Sequence, residues 1–350
     1  MSSRRTGVLS IVLLSFLLFA AAVFSLPRFA ADHAVACKQC HINPTGGGAR
    51  NEFGNHAVAF QELCIPPTKR LLASQYKKPR VSDAVLVGFD SRWLVFHGRQ
   101  TFRMQSDFYL TVTPFHNFDF VSRIGPFGGT PVISEQYGLL RFNDTRYWIK
   151  AGTFQPAFGL GIDDHTAFVR SETGHPPVSY WDGISVGADI HDVNIVAEAF
   201  SRNQRGIFNL HAFRTGFINP VGYIAGFSWQ QSEKYQGTTA GIPRAKAVFG
   251  GLNWDRFTVL GEYDAIGSHN DSMAVYGSAT VRLVWGCYLT GEYNFFDPDR
   301  HLQTGTEEFT RISLDLYPIP FVNLRPSYSH YNPRHNGKAS EFFMQVHVGY

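Results

Sequence analysis

From about residue 84 to the C-terminus, apolar and polar positions alternate in short runs separated by turn-forming residues. The terminal run is the clearest. Phe342, Met344, Val346, Val348 and Tyr350 share one side of an extended chain, and Phe343, Gln345, His347 and Gly349 share the other. Such alternation marks a β-strand with unlike faces, because successive side chains point to opposite sides of a sheet. The same period sets Val322, Leu324, Pro326 and Tyr328 against Asn323, Arg325, Ser327 and Ser329. It also sets Val275, Gly277, Ala279, Val281 and Leu283 against Tyr276, Ser278, Thr280 and Arg282. Segments of this kind lie near 84–96, 100–113, 117–124, 132–142, 145–154, 182–190, 193–201, 206–215, 219–229, 245–253, 256–266, 272–283, 286–296, 307–317, 320–330 and 340–350. They predict about sixteen strands. Short turns such as Asn143-Asp144, His191-Asp192 and Asp255-Arg256 fall at every second junction, and the longer connections, near 155–181, 230–244, 297–306 and 331–339, fall between them.

The polar faces show which side meets water. Arg92, Arg103, Asp107, Asp119, Arg123, Glu135, Arg141, Arg146, Lys150, Glu198, Glu262, Glu292, Arg311, Asp315 and Arg325 all lie on them, in both signs. A soluble sandwich would turn such faces outward; a membrane barrel encloses them as a hydrated lumen laced with ion pairs and gives its apolar faces to lipid. Composition agrees: 15% of residues are aromatic, 33 are Gly and only 17% are charged. Mean hydropathy is nonetheless slightly negative, which excludes a helical membrane protein. The predicted fold class is all-β, a transmembrane antiparallel β-barrel over residues 83–350. Its terminal aromatic residue resembles the assembly signal of bacterial outer-membrane barrels. Trp93, Trp148, Trp229, Trp254 and Trp285 lie near strand ends and suit interfacial girdles, or in part the lumen. A net charge of +3 over 350 residues gives no reason to expect a nucleic-acid partner.

The N-terminal part is different. Arg4 and Arg5 precede an apolar run from Val8 to Leu26, which reads as a secretory signal peptide over residues 1–26, with a retained anchor as the alternative. Residues 27–82 then form a short, partly helical segment carrying Cys37-Lys38-Gln39-Cys40-His41. C-x-x-C-H is the attachment signature of c-type haem: two thiols bond to the macrocycle and the adjacent imidazole reaches the iron. A redox dithiol or half of a zinc site would use C-x-x-C as well, but no second pair of either type follows. Cys37, Cys40 and His41 are therefore expected to hold one covalent haem c. The run Asn43-Pro44-Thr45-Gly46-Gly47-Gly48 predicts a turn away from it. Ala49 to Leu63 reads as a helix with Phe53, His56 and Phe60 on one face, making His56 the leading candidate for second axial ligand. His33 and more distant groups remain alternatives. Ile65-Pro66-Pro67 must stop that helix, and Lys69 to Arg80 reads as a basic linker. So small a segment cannot bury a core alone and needs a wall to lean on.

The longest loop, Gln155 to Trp181, carries Asp163, Asp164, His165, Glu172, His175 and Tyr180. It is expected to be solvated, to fold inward and narrow a channel, or to hold a hard cation. Gly183-Ile184-Ser185-Val186-Gly187 matches G-x-S-x-G, but a nucleophile elbow needs a strand-turn-helix and this serine lies in an alternating strand.

A leader, one C-x-x-C-H and a barrel of about sixteen strands together resemble the fused monohaem cytochrome–porins of the bacterial outer membrane, the family that includes Fe(II) oxidases. The resemblance implies a haem lodged in or below the pore and electrons crossing the outer membrane. It also implies a periplasmic c-type cytochrome as partner and an extracellular donor or acceptor such as iron. The alternative is a diffusion porin or selective channel whose haem segment is a structural or sensory plug.

Overall fold

The computed structural model describes residues 27–96, 101–127, 130–143, 145–176, 179–202, 205–232, 243–267, 271–302, 305–333 and 338–350; the expected leader, 1–26, lies outside the described residues. A short strand, β1 (Arg80–Ser82), precedes the barrel. The barrel strands are β2 (Val85–Phe96), β3 (Thr101–Phe115), β4 (Phe118–Phe127), β5 (Thr130–Phe142), β6 (Tyr147–Phe154), β7 (Trp181–Ile190), β8 (Val193–Arg202) and β9 (Arg205–Ile218). They continue as β10 (Val221–Ser232), β11 (Ala245–Trp254), β12 (Phe257–Ile266), β13 (Ser272–Val284), β14 (Cys287–Asp297), β15 (Glu307–Leu316), β16 (Val322–Asn332) and β17 (Ala339–Gly349). Each pairs antiparallel with the next, and β17 pairs with β2 in the register Phe343↔Phe96 to Gly349↔Asp90. This last ladder closes a barrel of sixteen strands, which leaves no sheet edge exposed.

The two faces are sorted as a bilayer requires. On β12, Phe257, Val259 and Tyr263 are exposed, whereas Leu260, Glu262 and Asp264 are buried. Ile149, Ile184, Val248, Ile312 and Phe342 continue the exposed apolar wall. An exposed apolar surface around a buried charged one inverts the pattern of a soluble protein. Short turns collect at one end; His191 and Asp192 both have positive φ, 48° and 65°, as the twist of a two-residue hairpin demands. In outer-membrane barrels the short turns face the periplasm. Trp93, Trp229, Trp254 and Trp285 are exposed, but Trp148 is 1% exposed on the lumenal face beside Lys150.

Residues 27–76 plug the lumen at the short-turn end. Helix α1 (Pro27–His33) is tied down by Arg28, whose guanidinium lies 3.5 Å from Asp315 and donates to Tyr317 Oη at 3.1 Å. Lys38 pairs with Asp189 at 2.6 Å, Arg50 donates to the Gly349 carbonyl at 3.2 Å, and Lys150 donates to Asn43 at 3.1 Å. The expected helix 49–63 is instead a π-helix, Gly54–Glu62. Its wider turn breaks the predicted face: Phe60 is buried while Phe53 is 44% exposed. Pro66 and Pro67 stop it and open α2 (Pro66–Leu72), where a missing N–H costs nothing. The expected basic linker therefore includes α2, a 3₁₀ turn and β1.

The 155–180 connection, which contains the short helix α3 (Phe168–Ser171), crosses the lumen as a second layer. Ala157 N–H donates to Glu198 (2.8 Å), Gly159 N–H to Ser228 (2.9 Å) and Leu160 N–H to Glu262 (2.7 Å). Asp163 then pairs with Arg92 and Asp164 with Arg311. This loop is folded inward, and both aspartates are held by arginine. Among the described residues its acidic and histidine groups form no metal-type cluster.

Candidate haem-attachment site

The attachment pentapeptide lies in a single tight turn. Cys40 N–H and His41 N–H both donate to the Cys37 carbonyl, at 3.1 and 3.0 Å. Positions i, i+3 and i+4 of a helical turn share a face, and Cys37, Cys40 and His41 all border one lumenal cavity between plug and loop. Neither thiol is in a disulfide. Beyond His41 the chain doubles back as a narrow hairpin: His41 bridges Arg50, Ile42 N–H donates to the Ala49 carbonyl, and Asn51 N–H to the Cys40 carbonyl. The turn runs through Gly46, Gly47 and Gly48, with φ of 88°, 75° and 64°, a left-handed path that side chains resist.

Asn51 is the clamp of this arrangement. Its Nδ2 donates to the carbonyls of Lys38 (3.2 Å) and Gln39 (3.0 Å), and its Oδ1 accepts from Gly54 N–H at 2.9 Å. Gly54 lets the π-helix approach: a Cβ there would lie 2.2 Å from the Cys40 carbonyl oxygen. Nothing periodic in the sequence singles out either residue.

Burial sets the protonation states. It pushes the Cys37 thiol up to about 12, with the neighbouring Cys40 thiol adding to the effect, and it pushes Cys40 up to about 11. His41 is pushed down to about 4 by burial and then by the Arg50 guanidinium. Its imidazole is therefore neutral at pH 7, the state that can ligate a metal. His41 Nδ1 is buried with no hydrogen-bond partner. The cavity is walled by apolar Phe29, Val58, Phe158, Phe213, Ile224 and Phe249 and reached by Arg50 and Arg170. A Cβ at Gly47 or Gly161, both on its wall, would meet nothing within 4 Å. Two free thiols, a neutral imidazole and a pocket that combines an apolar wall with arginine side chains suit a c-type haem and its propionates.

The structure does not bring His56 to this cavity. His56 is exposed, lies 3.4 Å from Gln61 and packs on Phe60 and Tyr76 with ring centroids at 5.9 and 4.8 Å. His56 stays beside Phe60, as the predicted face has it, but that side of the helix meets Tyr76 and not the cavity. His33 is engaged by Glu62 at 2.9 Å and does not border the cavity either. His175 is buried against Gln230 at 2.7 Å, and Ser185 of β7 donates to Glu198 of β8 at 2.9 Å.

Solved structures identify the architecture around this site. OprB of Pseudomonas putida superposes with a TM-score of 0.56 at 9% identity, covering 81% of this chain and 96% of that one. OmpT, an outer membrane protein of Vibrio cholerae, gives 0.56 at 10% identity, with 77% and 98% covered. The fold is that of an outer-membrane barrel. At this identity the likeness concerns fold alone. No family model matches the sequence, and no curated protein matches it. Within this barrel Cys37, Cys40 and His41 belong to the plug, and the lumenal wall supplies their surroundings.

Proposed function

We propose that the protein carries one covalent haem c in its lumen and passes electrons across the outer membrane. The observation that carries this reading is that Cys37, Cys40 and His41 open together onto one cavity enclosed by plug and loop. The haem, once bound, supplies a one-electron carrier. Cys37 and Cys40 would hold it through thioether bonds, and His41 would offer a neutral imidazole to the iron. Asn51 and Gly54 hold those three residues in register, and Arg50 and Arg170 would be the partners for the propionates. The loop keeps bulk water from the apolar wall. An apolar band of ~25 Å is more than one haem spans, so a periplasmic c-type cytochrome serves the plug side. An extracellular donor or acceptor, such as iron, serves the loop side.

The charged lumenal wall and the fold favour a second reading, a porin or selective channel with the haem segment as plug. A pyridine haemochrome on protein matured with the c-type machinery, followed by Fe(II) titration, separates the two. A c-type spectrum that responds to Fe(II) supports electron transfer to iron. A haem indifferent to Fe(II) keeps the class and changes the donor. Absence of haem leaves the plugged channel.

A further inference from the structure

A second imidazole borders the cavity, and it comes from the barrel wall. His211 is on the lumenal face of β9, 7% exposed, and among the described residues lining the cavity it and His41 are the only histidines. Among the described residues no methionine lines it. The His211 ring lies flat on Phe249, with centroids 5.4 Å apart and planes at 11°, and is flanked by Phe213 at 5.4 Å. Its Nδ1 is 2.8 Å from Ser228 Oγ, which itself accepts the Gly159 N–H at 2.9 Å. The tautomer that donates from Nδ1 to Ser228 leaves the Nε2 lone pair free. This is how proteins prepare a histidine for a metal: one ring nitrogen is held so that the other is aimed. Phe213 and Phe249, the two rings that flank His211, also pack in the apolar cluster against which Cys37 leans.

We propose that His211 is the second axial ligand of the haem attached at Cys37 and Cys40; this rests on the haem reading above. The other histidines near the plug are committed or face elsewhere: His33 to Glu62, His347 to Asp90 at 2.8 Å, and His56 outside the cavity. A ligand from β9 makes the haem a bridge between plug and barrel. Through Ser228 and Gly159 it also connects the haem to the inward loop.

The test uses the full chain, matured with c-type machinery and purified from outer membranes in detergent. Covalent haem is quantified first by pyridine haemochrome; wild-type protein without haem overturns the electron-transfer reading and this inference with it. With haem present, wild type is expected to be six-coordinate and low-spin in the ferric optical and electron paramagnetic resonance spectra. His211→Ala should become high-spin at unchanged haem content, bind carbon monoxide when reduced, and return to low-spin with added imidazole. His211→Met should remain six-coordinate at a more positive midpoint potential, as methionine ligation dictates. His56→Ala should match wild type. A His211→Ala spectrum that stays low-spin, a His211→Met potential that does not move, or a wild type that is high-spin overturns the assignment while leaving haem attachment intact.

Discussion

Replacing Asn51 by Ala should loosen the attachment turn without touching the barrel. The side chain makes three hydrogen bonds, to the Lys38 and Gln39 carbonyls and from the Gly54 N–H. At about 1 kcal/mol each they total about 3 kcal/mol. The Gln39 carbonyl is exposed enough for water to replace its donor, which leaves about 2 kcal/mol. That raises the population of the opened turn about 30-fold. The assay is maleimide labelling of Cys37 and Cys40 in haem-free protein, in a Cys64→Ser, Cys287→Ser background. Both thiols are protonated in the folded turn because burial pushes them to about 12 and 11, and only the thiolate attacks. Labelling is therefore slow in the closed turn and quickens with local opening. Asn51→Asp keeps the acceptor for Gly54 but sets a carboxylate oxygen against two carbonyl oxygens, so it should label at least as fast as Asn51→Ala. Equal labelling rates in wild type and Asn51→Ala would show that the clamp does not hold the turn.

Gly54→Ala places a methyl 2.2 Å from the Cys40 carbonyl oxygen, an overpacking of about 1–3 kcal/mol. Covalent haem per barrel should fall several-fold, and undiminished loading counts against Gly54 as the point of close approach. The His33–Glu62 clip should be pH-dependent, because the Glu62 hydrogen bond, working against burial, raises the His33 pKa. A raised folded value means full stabilisation below the ordinary histidine range and loss as pH rises through the folded value. Hydrogen exchange at α1 amides, corrected for intrinsic rates, should therefore quicken with pH in wild type and not in His33→Gln; identical profiles would dismiss the clip.

The barrel was legible because period-2 alternation is imposed by the strand itself, whatever the tertiary context. Register followed from it: Thr258, Leu260, Glu262 and Asp264 all fall inward. The lumenal place of Trp148 was legible too, since it shares parity with Lys150, but proximity to a strand end drew attention instead. The contents of the lumen were less readable. Arg92 and Arg311 announced an ion-paired interior, yet their partners Asp163 and Asp164 arrive on an aperiodic loop whose path no pattern encodes. The π-helix defeats a 3.6-residue template: Phe53 is exposed while Phe60, with His56 still stacked on it, is buried. His211 carries no local signal; it is one inward residue of a strand, given meaning only by a motif far away in sequence.

Whether the lumen works as a conduit for solutes or as a housing depends on the loop. Paired charges in a low-dielectric interior do not select ions as free ones would, because each guanidinium is already neutralised. A docked loop therefore covers the cavity and narrows the lumen, which suits a cofactor and hinders diffusion. Docking rests on Asp163 with Arg92 and Asp164 with Arg311, on walls far from the loop's own strands. Burial alone would raise the Asp164 carboxyl, but the Arg311 guanidinium and the Thr166 hydroxyl and N–H outweigh it and hold it below the ordinary carboxylate range. A depressed value means that docking is stabilised above that range and loses this support as pH falls towards the folded value. Asp163→Asn with Asp164→Asn should reproduce the acid state at neutral pH. In planar bilayers the wild type should conduct weakly at pH 7, and more in strong acid or in the double variant. A wild type that already conducts as the variant does would mean that the loop is no barrier, and the channel reading would then be the better one.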